Sequence, residues 1–243
     1  MLFLFCYQIT KHMKKIVVLT GAGISAESGI KTFRDSDGLW ENYDIRDVAS
    51  PEGWRRNQAL VLDFYNQRRK NVLDVLPNEG HKALVKLEKA YNVVIVTQNI
   101  DDLHERAGSA NIIHLHGEIL KMRSSKVETE ILDCKDDILE GQLCKYGSQL
   151  RPHIVWFGEA VPLMEDAYHE IQTADYVLVI GSSMQVYPAA GLVAAAPRNI
   201  PIWFIDPFPQ LNHELKTLKN LTVVAENATI GVPMVVDILL TDM

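Results

Sequence analysis

The amino-acid sequence predicts an α/β fold built around a parallel, doubly wound sheet. Six short runs are rich in β-branched residues, each run is almost continuously apolar, and helical patterns separate several of them. Strands buried on both faces have this apolar character. Their alternation with helices is typical of parallel sheets. The runs are KIVVLT (15–20), NVVIVT (92–97), HIVWF (153–157), YVLVIG (176–181), IPIWFI (200–205) and LTVVA (221–225).

Helices are expected at residues 79–91, 188–196 and 232–240. In the first, Leu84, Leu87 and Tyr91 fall on one stripe. Two longer segments do not follow the alternation: residues 28–76 read as a loop followed by a helix, and residues 119–151 are polar without a period. We interpret both as insertions that form a second, smaller domain packed on the sheet domain.

Composition limits the classes of partner. The chain has 243 residues, 47% of them hydrophobic, enough for one domain with a small insert. Its formal net charge of −7 favours neither nucleic acid nor an anionic membrane as a partner, and no apolar run is long enough to span a bilayer. The three cysteines, Cys6, Cys134 and Cys144, suit a reducing cytoplasm better than a disulfide framework. Nothing in the sequence demands an oligomer.

The first residues are expected to lie outside the fold. Residues 1–12 precede a second methionine, Met13, and the sequence KKIVVLTGAG follows it directly. Their apolar residues come before the lysines, which reverses the order of a secretory signal. We expect translation to begin at Met13, so that the folded domain spans 13–243 and residues 1–12 are an extension.

A glycine turn follows the first predicted strand. Gly21 and Gly23 are two residues apart, and Ala26 holds the third small position of a G-x-G-x-x-A pattern. Such a turn lets the backbone approach a pyrophosphate at a helix N-terminus, although a merely tight strand–helix turn explains it equally well. A hydride-transfer enzyme is disfavoured, because residues 31–50 show no second strand ending in an acidic residue. Their polar character favours a lid over a dinucleotide that is consumed.

Polar residues also follow the strand that ends at Thr97. Gln98, Asn99 and Asp101 stand where open α/β sheets bind ligands, and a helix cap is the alternative. Further along, His114 and His116 would share one face of an extended segment. They could bind a metal together, or one of them could act as a base.

Several motifs together resemble the sirtuin family of NAD-dependent protein-lysine deacylases. They occur in the order GAGISAESGIKTFR, GLW, TQNIDDLHERAG, HLHGE, PHIVWFGE and GSSMQVYPAA. The similarity runs from about Lys14 to the C-terminus. It implies a Rossmann-like large domain and a small domain, with NAD and an acylated lysine meeting between them.

The resemblance also implies the contacts with NAD. Asn99 and Asp101 would fix the nicotinamide ribose and carboxamide, and Asp206 would offer an acceptor to the adenine ribose. The expected NAD-binding residues are Gly21, Ala22, Gly23, Ser25, Ala26, Phe33, Arg34, Trp40, Gln98, Asn99, Ile100, Asp101, His116, Gly181, Ser182, Ser183, Asp206 and Ala228.

The mechanism that the resemblance implies needs no protein nucleophile. The acyl oxygen attacks the ribose, nicotinamide leaves, and His116 acts as general base, with Asn99 as the second catalytic residue. The products are O-acyl-ADP-ribose and free lysine. An extended peptide would pair with the substrate-binding residues Val155, Trp156, Phe157, Gly158 and Glu159. Two alternatives stay open: a protein ADP-ribosyltransferase using the same cleft, and a non-catalytic nucleotide-binding module.

A helical stripe suggests which acyl group the protein removes from lysine. It consists of Val61, Tyr65, Arg68, Val72 and Leu76. An arginine within an apolar stripe is commonly a snorkelling side chain. Tyr65 and Arg68 are also three residues apart, so both could reach one carboxylate. The same Tyr-x-x-Arg resembles sirtuins that remove succinyl and malonyl groups. We therefore predict both activities, together with deacetylation.

Zinc is expected to be absent. Many sirtuins bind a structural zinc ion with two cysteine pairs, and a tetrahedral site needs four ligands. The corresponding region offers only Cys134 and Cys144, while Ser124 and Ser125 stand near the place of the first pair. His153 is a conceivable further ligand, but it belongs to the substrate motif.

Overall fold

The computed structural model describes residues 13–32, 39–40, 43–127 and 129–241, with residues 39–40 as backbone only. The predicted extension 1–12, residues 33–38 and 41–42 of the predicted lid, and with them the expected NAD contacts Phe33 and Arg34, lie outside the described residues, as does the side chain of Trp40.

A six-stranded parallel sheet forms the larger part of the molecule and confirms the predicted fold class. Every neighbouring pair in it is parallel, and Thr20 is in register with Thr97 and Ile180. The strands are β1 (Lys15–Thr20), β4 (Asn92–Thr97), β5 (Ile112–His114), β9 (Tyr176–Ile180), β10 (Ile202–Ile205) and β11 (Leu221–Val224). Their spatial order is β11-β10-β9-β1-β4-β5. The strands β1, β4 and β9 therefore end together at one edge.

Five of the six predicted strands lie in this sheet, and the prediction for residues 153–157 is wrong. His153 and Ile154 end β8 (Leu150–Ile154), which belongs to a separate antiparallel sheet with β6 (Gly117–Ser124) and β7 (Ile131–Asp133). Residues 119–151 therefore contain strands that the sequence pattern did not reveal. A register shift between Glu118 and Met122 interrupts the alternation of faces in β6, which hides its two-residue period.

Among the described residues of the segment 31–50, none joins the parallel sheet, which agrees with the prediction. Two short strands occur there, β2 (Leu39–Trp40) and β3 (Tyr43–Asp44), and they pair only with each other.

The described helices connect these strands. They are α1 (Gly23–Ala26), α2 (Ile45–Val48), α3 (Pro51–Arg56), α4 (Gln58–Asp74), α5 (Glu79–Leu87), α6 (Leu103–Ala107), α7 (Met164–Gln172), α8 (His213–Thr217) and α9 (Ala228–Thr241), with a 3₁₀ segment at Ala189–Ala195. None of them is both long and apolar enough to cross a membrane.

Two predicted helical segments end earlier than expected, whereas α9 begins at Ala228, before the expected start at residue 232. The helix expected at 188–196 is the 3₁₀ segment Ala189–Ala195. The helix expected to reach residue 91 ends at Leu87, although Tyr91 stays buried and donates its hydroxyl proton to Leu239 O. Leu76 does not belong to the α4 stripe, because α4 ends at Asp74. Pro77 follows Leu76, and a residue before proline avoids the helical conformation. Leu76 is exposed.

The two faces of the parallel sheet carry separate hydrophobic cores. Successive side chains of β1 alternate between them, Ile16 and Val18 packing with α5 and α9, and Val17 and Leu19 packing with α7 and the 3₁₀ segment. A third core joins residues 48–72 to residues 119–156. The two segments interpreted as insertions therefore pack on each other, and the exact domain boundaries at 28–76 and 119–151 stay a prediction.

Candidate functional site

A cavity of about 590 Å³ opens where β1, β4 and β9 end. Its volume lies within the usual range for small-molecule sites. One wall comes from the turns of the parallel sheet, and the opposite wall comes from α4 and the residues that follow β8.

The glycine turn is required by close packing against a second turn. Gly21 N–H donates to Ile180 O at 3.0 Å, and Gly23 N–H donates to Gly181 O at 2.8 Å. A Cβ added at Gly21 would lie 2.8 Å from Gly181 O, and one at Gly23 would lie 2.6 Å from Gly181 Cα. Only glycine permits such an approach of two backbones. The tight-turn interpretation is therefore correct, and the same turn lines the cavity.

The turn offers fewer free N–H groups than the N-terminus of a regular helix does. Helix α1 is a single turn, and the N–H groups of Gly21, Gly23, Ile24 and Ser25 all donate to backbone carbonyls. Within the described part of the chain, only Ala22 among residues 21–25 has an N–H without a backbone acceptor. A bound pyrophosphate would thus meet one available amide of this turn rather than a row of them.

A buried hydrogen-bonded set lies beside this turn. The Ser25 hydroxyl donates to Asp101 Oδ2 at 3.0 Å and accepts from Asn99 Nδ2 at 3.2 Å. Asn99 and Asp101 line the cavity, whereas Ser25 is fully buried beside them and does not line it. The Leu103 N–H donates to Asp101 Oδ1, so Asp101 also makes the local turn expected of a helix cap. Burial raises the pKa of Asp101 to about 6, against the opposing effect of these two hydrogen bonds.

His114 and His116 occupy different environments, and the prediction that they share one face of an extended segment is wrong. Strand β5 ends at His114, and the chain turns at Leu115 and His116 before β6 begins at Gly117 with φ +83°. His116 lines the cavity, and His114 does not. The two histidines therefore cannot bind one metal ion together.

His116 has the arrangement of a neutral base. Its Nδ1 lies 3.0 Å from Gln98 O, and a carbonyl oxygen can only accept, so Nδ1 carries the proton and Nε2 has the lone pair. Burial lowers the pKa of His116, and the bond to Gln98 only partly opposes that effect. The neutral imidazole is thus favoured at neutral pH.

His114 has the arrangement of a cation. Its Nε2 lies 2.6 Å from Glu105 Oε1, and its Nδ1 lies 3.3 Å from Asn99 O. Both neighbours are acceptors, so both nitrogens donate. Burial opposes the charge, but Glu105 outweighs burial and raises the pKa of His114. Glu105, His114 and Glu118 could in principle ligate a cation, although Lys121 already pairs with Glu118 at 2.8 Å.

The residues after β8 form the opposite wall. Val155, Trp156, Phe157, Gly158 and Glu159 all line the cavity. Val155 N–H donates to His116 O at 2.9 Å, which fixes this wall directly to the turn that holds the histidine.

Helix α4 closes the same wall with Tyr65 and Arg68. Both line the cavity, and Tyr65 is fully buried. Arg68 is only 8% exposed and its Cζ lies 4.1 Å from the ring centroid of Phe64, so the snorkelling interpretation is wrong. Burial raises the pKa of Tyr65, which keeps its phenol protonated and able to donate.

The sheet side of the cavity also includes the predicted residues Gln98, Ser182 and Asp206. Gln98 Nε2 donates to Ser182 Oγ at 3.2 Å, which joins two strand ends, and Asp206 Oδ1 accepts from Phe208 N at 2.9 Å. The predicted residues at the sheet side that line the cavity are Gly21, Ala22, Gly23, Ala26, Gln98, Asn99, Ile100, Asp101, His116, Gly181, Ser182, Ser183, Asp206 and Ala228.

Sequence reasoning missed several residues of the lining. Asn71 and Val72 follow Arg68 by three and four positions, so helical spacing already placed them on its face. Tyr187 and Phe208 are exposed aromatic residues in the loops after β9 and β10. Both residues follow the carboxyl end of a predicted strand, and that position could have identified them as residues of the cavity lining.

The two described cysteines are separate buried thiols. Cys144 Sγ lies 3.5 Å from Ser124 Oγ and 3.7 Å from Ser148 Oγ, whereas Cys134 Sγ donates to Asp136 O. Among the described residues, no group of three candidate metal ligands includes a cysteine. The absence of zinc stays a prediction.

The glycine turn and His116 therefore meet in one cavity beyond the carboxyl ends of parallel strands, which defines an α/β protein with its ligand site at that edge of the sheet. The Sir2 family model matches residues 21–188, and the chain belongs to the Sir2 family.

Curated relatives and solved structures agree with this assignment. An NAD-dependent protein deacylase of Helicobacter pylori is 58% identical over 195 residues, which cover 80% of this chain and 85% of the relative. The crystal structure of a Sir2 homologue–NAD complex is 35% identical with a TM-score of 0.82, covering 95% of this chain and 91% of the other. A structure of Sir2 bound to an acetylated peptide is 28% identical with a TM-score of 0.76, covering 93% of both chains.

Proposed function

We propose that this chain is an NAD-dependent deacylase that removes acyl groups from lysine side chains of proteins. The observation that carries the proposal is the single cavity that brings the glycine turn, His116 and the wall at 155–159 together. A dinucleotide on the sheet side and an acylated lysine on the wall side would meet beside one neutral histidine.

The residues on the sheet side suit NAD. The Ala22 N–H would donate to a pyrophosphate, and Asp206 would accept from a ribose hydroxyl. NAD would supply a ribose carbon that reacts with an acyl oxygen, with nicotinamide as the leaving group. Asn99 and Asp101 would hold the nicotinamide end, and Ser25 would orient both of them rather than contact NAD. Phe33, Arg34 and Trp40 remain proposed contacts on the family resemblance.

His116 would act as the general base. Its Nδ1 proton is used by Gln98 O, so Nε2 is the nitrogen that would take a proton from a ribose hydroxyl. The backbone bond from Val155 to His116 O would keep the peptide wall at a fixed distance from this base. A peptide would add as an extended strand along residues 155–159, and main-chain pairing of this kind tolerates many sequences.

Tyr65 and Arg68 would select acyl groups that carry a carboxylate. A guanidinium and a protonated phenol are both donors, and each lies in the lining of the same cavity. Their low exposure would strengthen hydrogen bonds to a charged acceptor. We therefore propose succinyl- and malonyl-lysine as preferred substrates, with acetyl-lysine also accepted.

The test is incubation of the purified protein with NAD and matched acetyl-, malonyl- and succinyl-lysine peptides. Nicotinamide and O-acyl-ADP-ribose should form in equal amounts, and each should require both NAD and an acylated peptide. Label transferred from NAD to protein would indicate an ADP-ribosyltransferase instead. Acyl loss without NAD would contradict the proposal, and NAD binding without turnover would indicate a non-catalytic module.

A further inference from the structure

Tyr65 on α4 receives a hydrogen bond from Trp156, which belongs to the same wall of the cavity. The Trp156 indole Nε1 donates to the Tyr65 hydroxyl oxygen at 3.1 Å, and both side chains are buried. An indole N–H can only donate, so the Tyr65 oxygen is the acceptor. The bond occupies one lone pair and limits the directions in which the phenol proton can point.

Trp156 is in turn held by Arg151. The Arg151 Cζ lies 3.2 Å from the Trp156 ring centroid, so the guanidinium stacks on the indole. The ring of Trp54 also packs against Trp156, with centroids 5.6 Å apart and ring planes inclined by 41°. The contacts with Arg151 and Trp54 restrict the orientation of the indole and therefore the direction of its N–H.

Arg151 keeps its place through Glu159. Its two terminal nitrogens donate to the Glu159 carboxylate at 2.7 and 3.1 Å, and Nη2 also donates to Ile154 O at 2.9 Å. Glu159 accepts a further bond from Trp156 N at 2.8 Å. Burial acts to raise the pKa of Glu159, but Arg151 and the other donors outweigh burial and lower it. The carboxylate thus remains ionised and holds the guanidinium fork flat against the ring.

Arg123 offers a natural comparison. It reaches the same carboxylate at 3.4 Å and the same Ile154 carbonyl at 3.4 Å, and it is also buried. Among the described cation–aromatic contacts, Arg151 stacks on Trp156 and Arg123 does not. The two arginines therefore share a counter-ion but differ in their contact with the indole.

We propose that Arg151 is a positioning residue for acyl selectivity, acting through Trp156 on the Tyr65 hydroxyl. The Tyr65 relay, defined as Glu159, Arg151, Trp156 and Tyr65, aims the phenol proton at a carboxylate on the acyl chain, beside Arg68. An acetyl group has no carboxylate and gains nothing from that proton. The inference rests on the proposed function and assigns a selectivity role to a residue outside the cavity lining.

The experiment measures kcat/KM for matched succinyl- and acetyl-lysine peptides and takes their ratio. Arg151→Met should lower the succinyl-to-acetyl ratio about tenfold, the size expected for loss of a well-directed hydrogen bond to a charged group. The matched control Arg123→Met should change the ratio much less. Trp156→Phe keeps a smaller aromatic ring for Arg151 to stack on and removes the indole N–H, and it should lower the ratio as Arg151→Met does.

A double-variant comparison separates positioning from general loss of structure. In a Tyr65→Phe background the hydroxyl is gone, so Arg151→Met should leave the ratio unchanged. Equal losses on both peptides, or a ratio that falls just as far in the Tyr65→Phe background, would overturn the relay. If wild-type protein deacetylates but does not accept succinyl-lysine, the relay also fails while deacylation stands. If it releases no nicotinamide with any acyl peptide, the proposed function itself fails.

Discussion

The Nδ1 atom of His116 lies 3.0 Å from the carbonyl oxygen of Gln98. The contact fixes the tautomer, because the carbonyl can only accept, and it places the basic lone pair on Nε2. Gln98 itself follows β4 directly, so the base is oriented by the end of a central strand of the sheet. A rigid element therefore sets the direction of a proposed catalytic group.

Replacing His116 should remove turnover. We expect His116→Ala to lower kcat about 10²- to 10⁴-fold, the usual contribution of a general base, when nicotinamide release is measured with an acyl peptide. His169→Ala serves as the control, because His169 is exposed on α7. Near-normal product formation by His116→Ala would refute the role of this residue.

The kcat/KM of the enzyme should fall in acid at a lower pH than an ordinary histidine would give. Burial lowers the pKa of His116 from its ordinary value of 6.5. A base works in its deprotonated form, so kcat/KM should be lost as pH falls through this lowered pKa, with a midpoint below 6.5. Asp101, whose pKa is raised to about 6, becomes protonated in the same range and would steepen the loss. A midpoint above 6.5 would contradict the arrangement.

Arg68 should matter more for acidic acyl groups than for acetyl. We expect Arg68→Met to lower kcat/KM for a succinyl-lysine peptide at least about tenfold more than for an acetyl-lysine peptide, because a buried charge-assisted bond is lost. Lys70→Met is the matched control, since Lys70 lies on the same helix, is exposed, and pairs with Asp137. Equal losses on both peptides would argue for a purely structural arginine.

The fold was predictable wherever strands are buried on both faces. Residues 15–20 and 92–97 match β1 and β4, because their environment demands apolar residues at every position. The strand at Ile112–His114 was too short to show such a run, and β6 lost its alternation at the shift after Glu118. Local sequence does not encode the pairing partner that decides whether such segments form a sheet.

The positions of the site residues were predictable from motifs, but their interactions were not. The turn at Gly23 is set by Gly181, and the charge of His114 is set by Glu105 on a different element. Each of these two effects depends on a contact between segments that are distant from each other in the sequence or belong to different elements. His114 and His116 look alike in the sequence, but only His114 contacts a carboxylate. His114 is therefore a cation, whereas His116 is a neutral base.

Because the turns at Gly23 and Gly181 approach each other closely, even replacing glycine by alanine should destabilise the fold. A Cβ at Gly23 would lie 2.6 Å from Gly181 Cα, a backbone atom, so the added methyl group would force one of the two turns to shift. We expect Gly23→Ala to lower the free energy of unfolding by about 1–3 kcal/mol, as overpacking does. The measurement is urea-induced unfolding followed by circular dichroism.

Gly191→Ala is the matched control for that change. Its added Cβ would meet only the Tyr187 ring, at 3.8 Å, which is an ordinary contact. We expect it to be neutral or to stabilise by up to about 1 kcal/mol, since alanine restricts the unfolded chain. If both variants unfold at the same urea concentration, the packing argument is wrong.

The pair of His114 and Glu105 should make stability depend on pH. Glu105 raises the pKa of His114 above its unfolded value, so this stabilisation is present below about pH 6.5 and is lost as pH rises through the folded pKa. The pKa of Glu105 is lowered despite its burial, so its own contribution is present above about pH 4.3 and is lost in stronger acid.

The variant Glu105→Gln tests the pH range over which the His114–Glu105 pair stabilises the fold. The Tm of the wild type should exceed that of the variant most between about pH 4.5 and 6.5, and the difference should shrink towards pH 9. Glu140→Gln, at an exposed carboxylate, is the control and should show a constant difference. A Tm difference for Glu105→Gln that does not change over this range would show that His114 is neutral.

The protein should fold without a bound zinc ion. A structural zinc ion binds four ligands and contributes on the order of 10 kcal/mol to the folding of small metal domains, so a chelator would strongly lower the Tm of a zinc-dependent fold. Cys144 is surrounded by the hydroxyls of Ser124 and Ser148, which are poor zinc ligands, and Cys134 donates to a carbonyl. We expect elemental analysis of dialysed protein to find only traces of zinc and EDTA to leave the Tm unchanged. Cys134→Ser and Cys144→Ser should behave alike with and without chelator. One equivalent of tightly held zinc would overturn this prediction and would require a ligand set that includes residues beyond these two thiols.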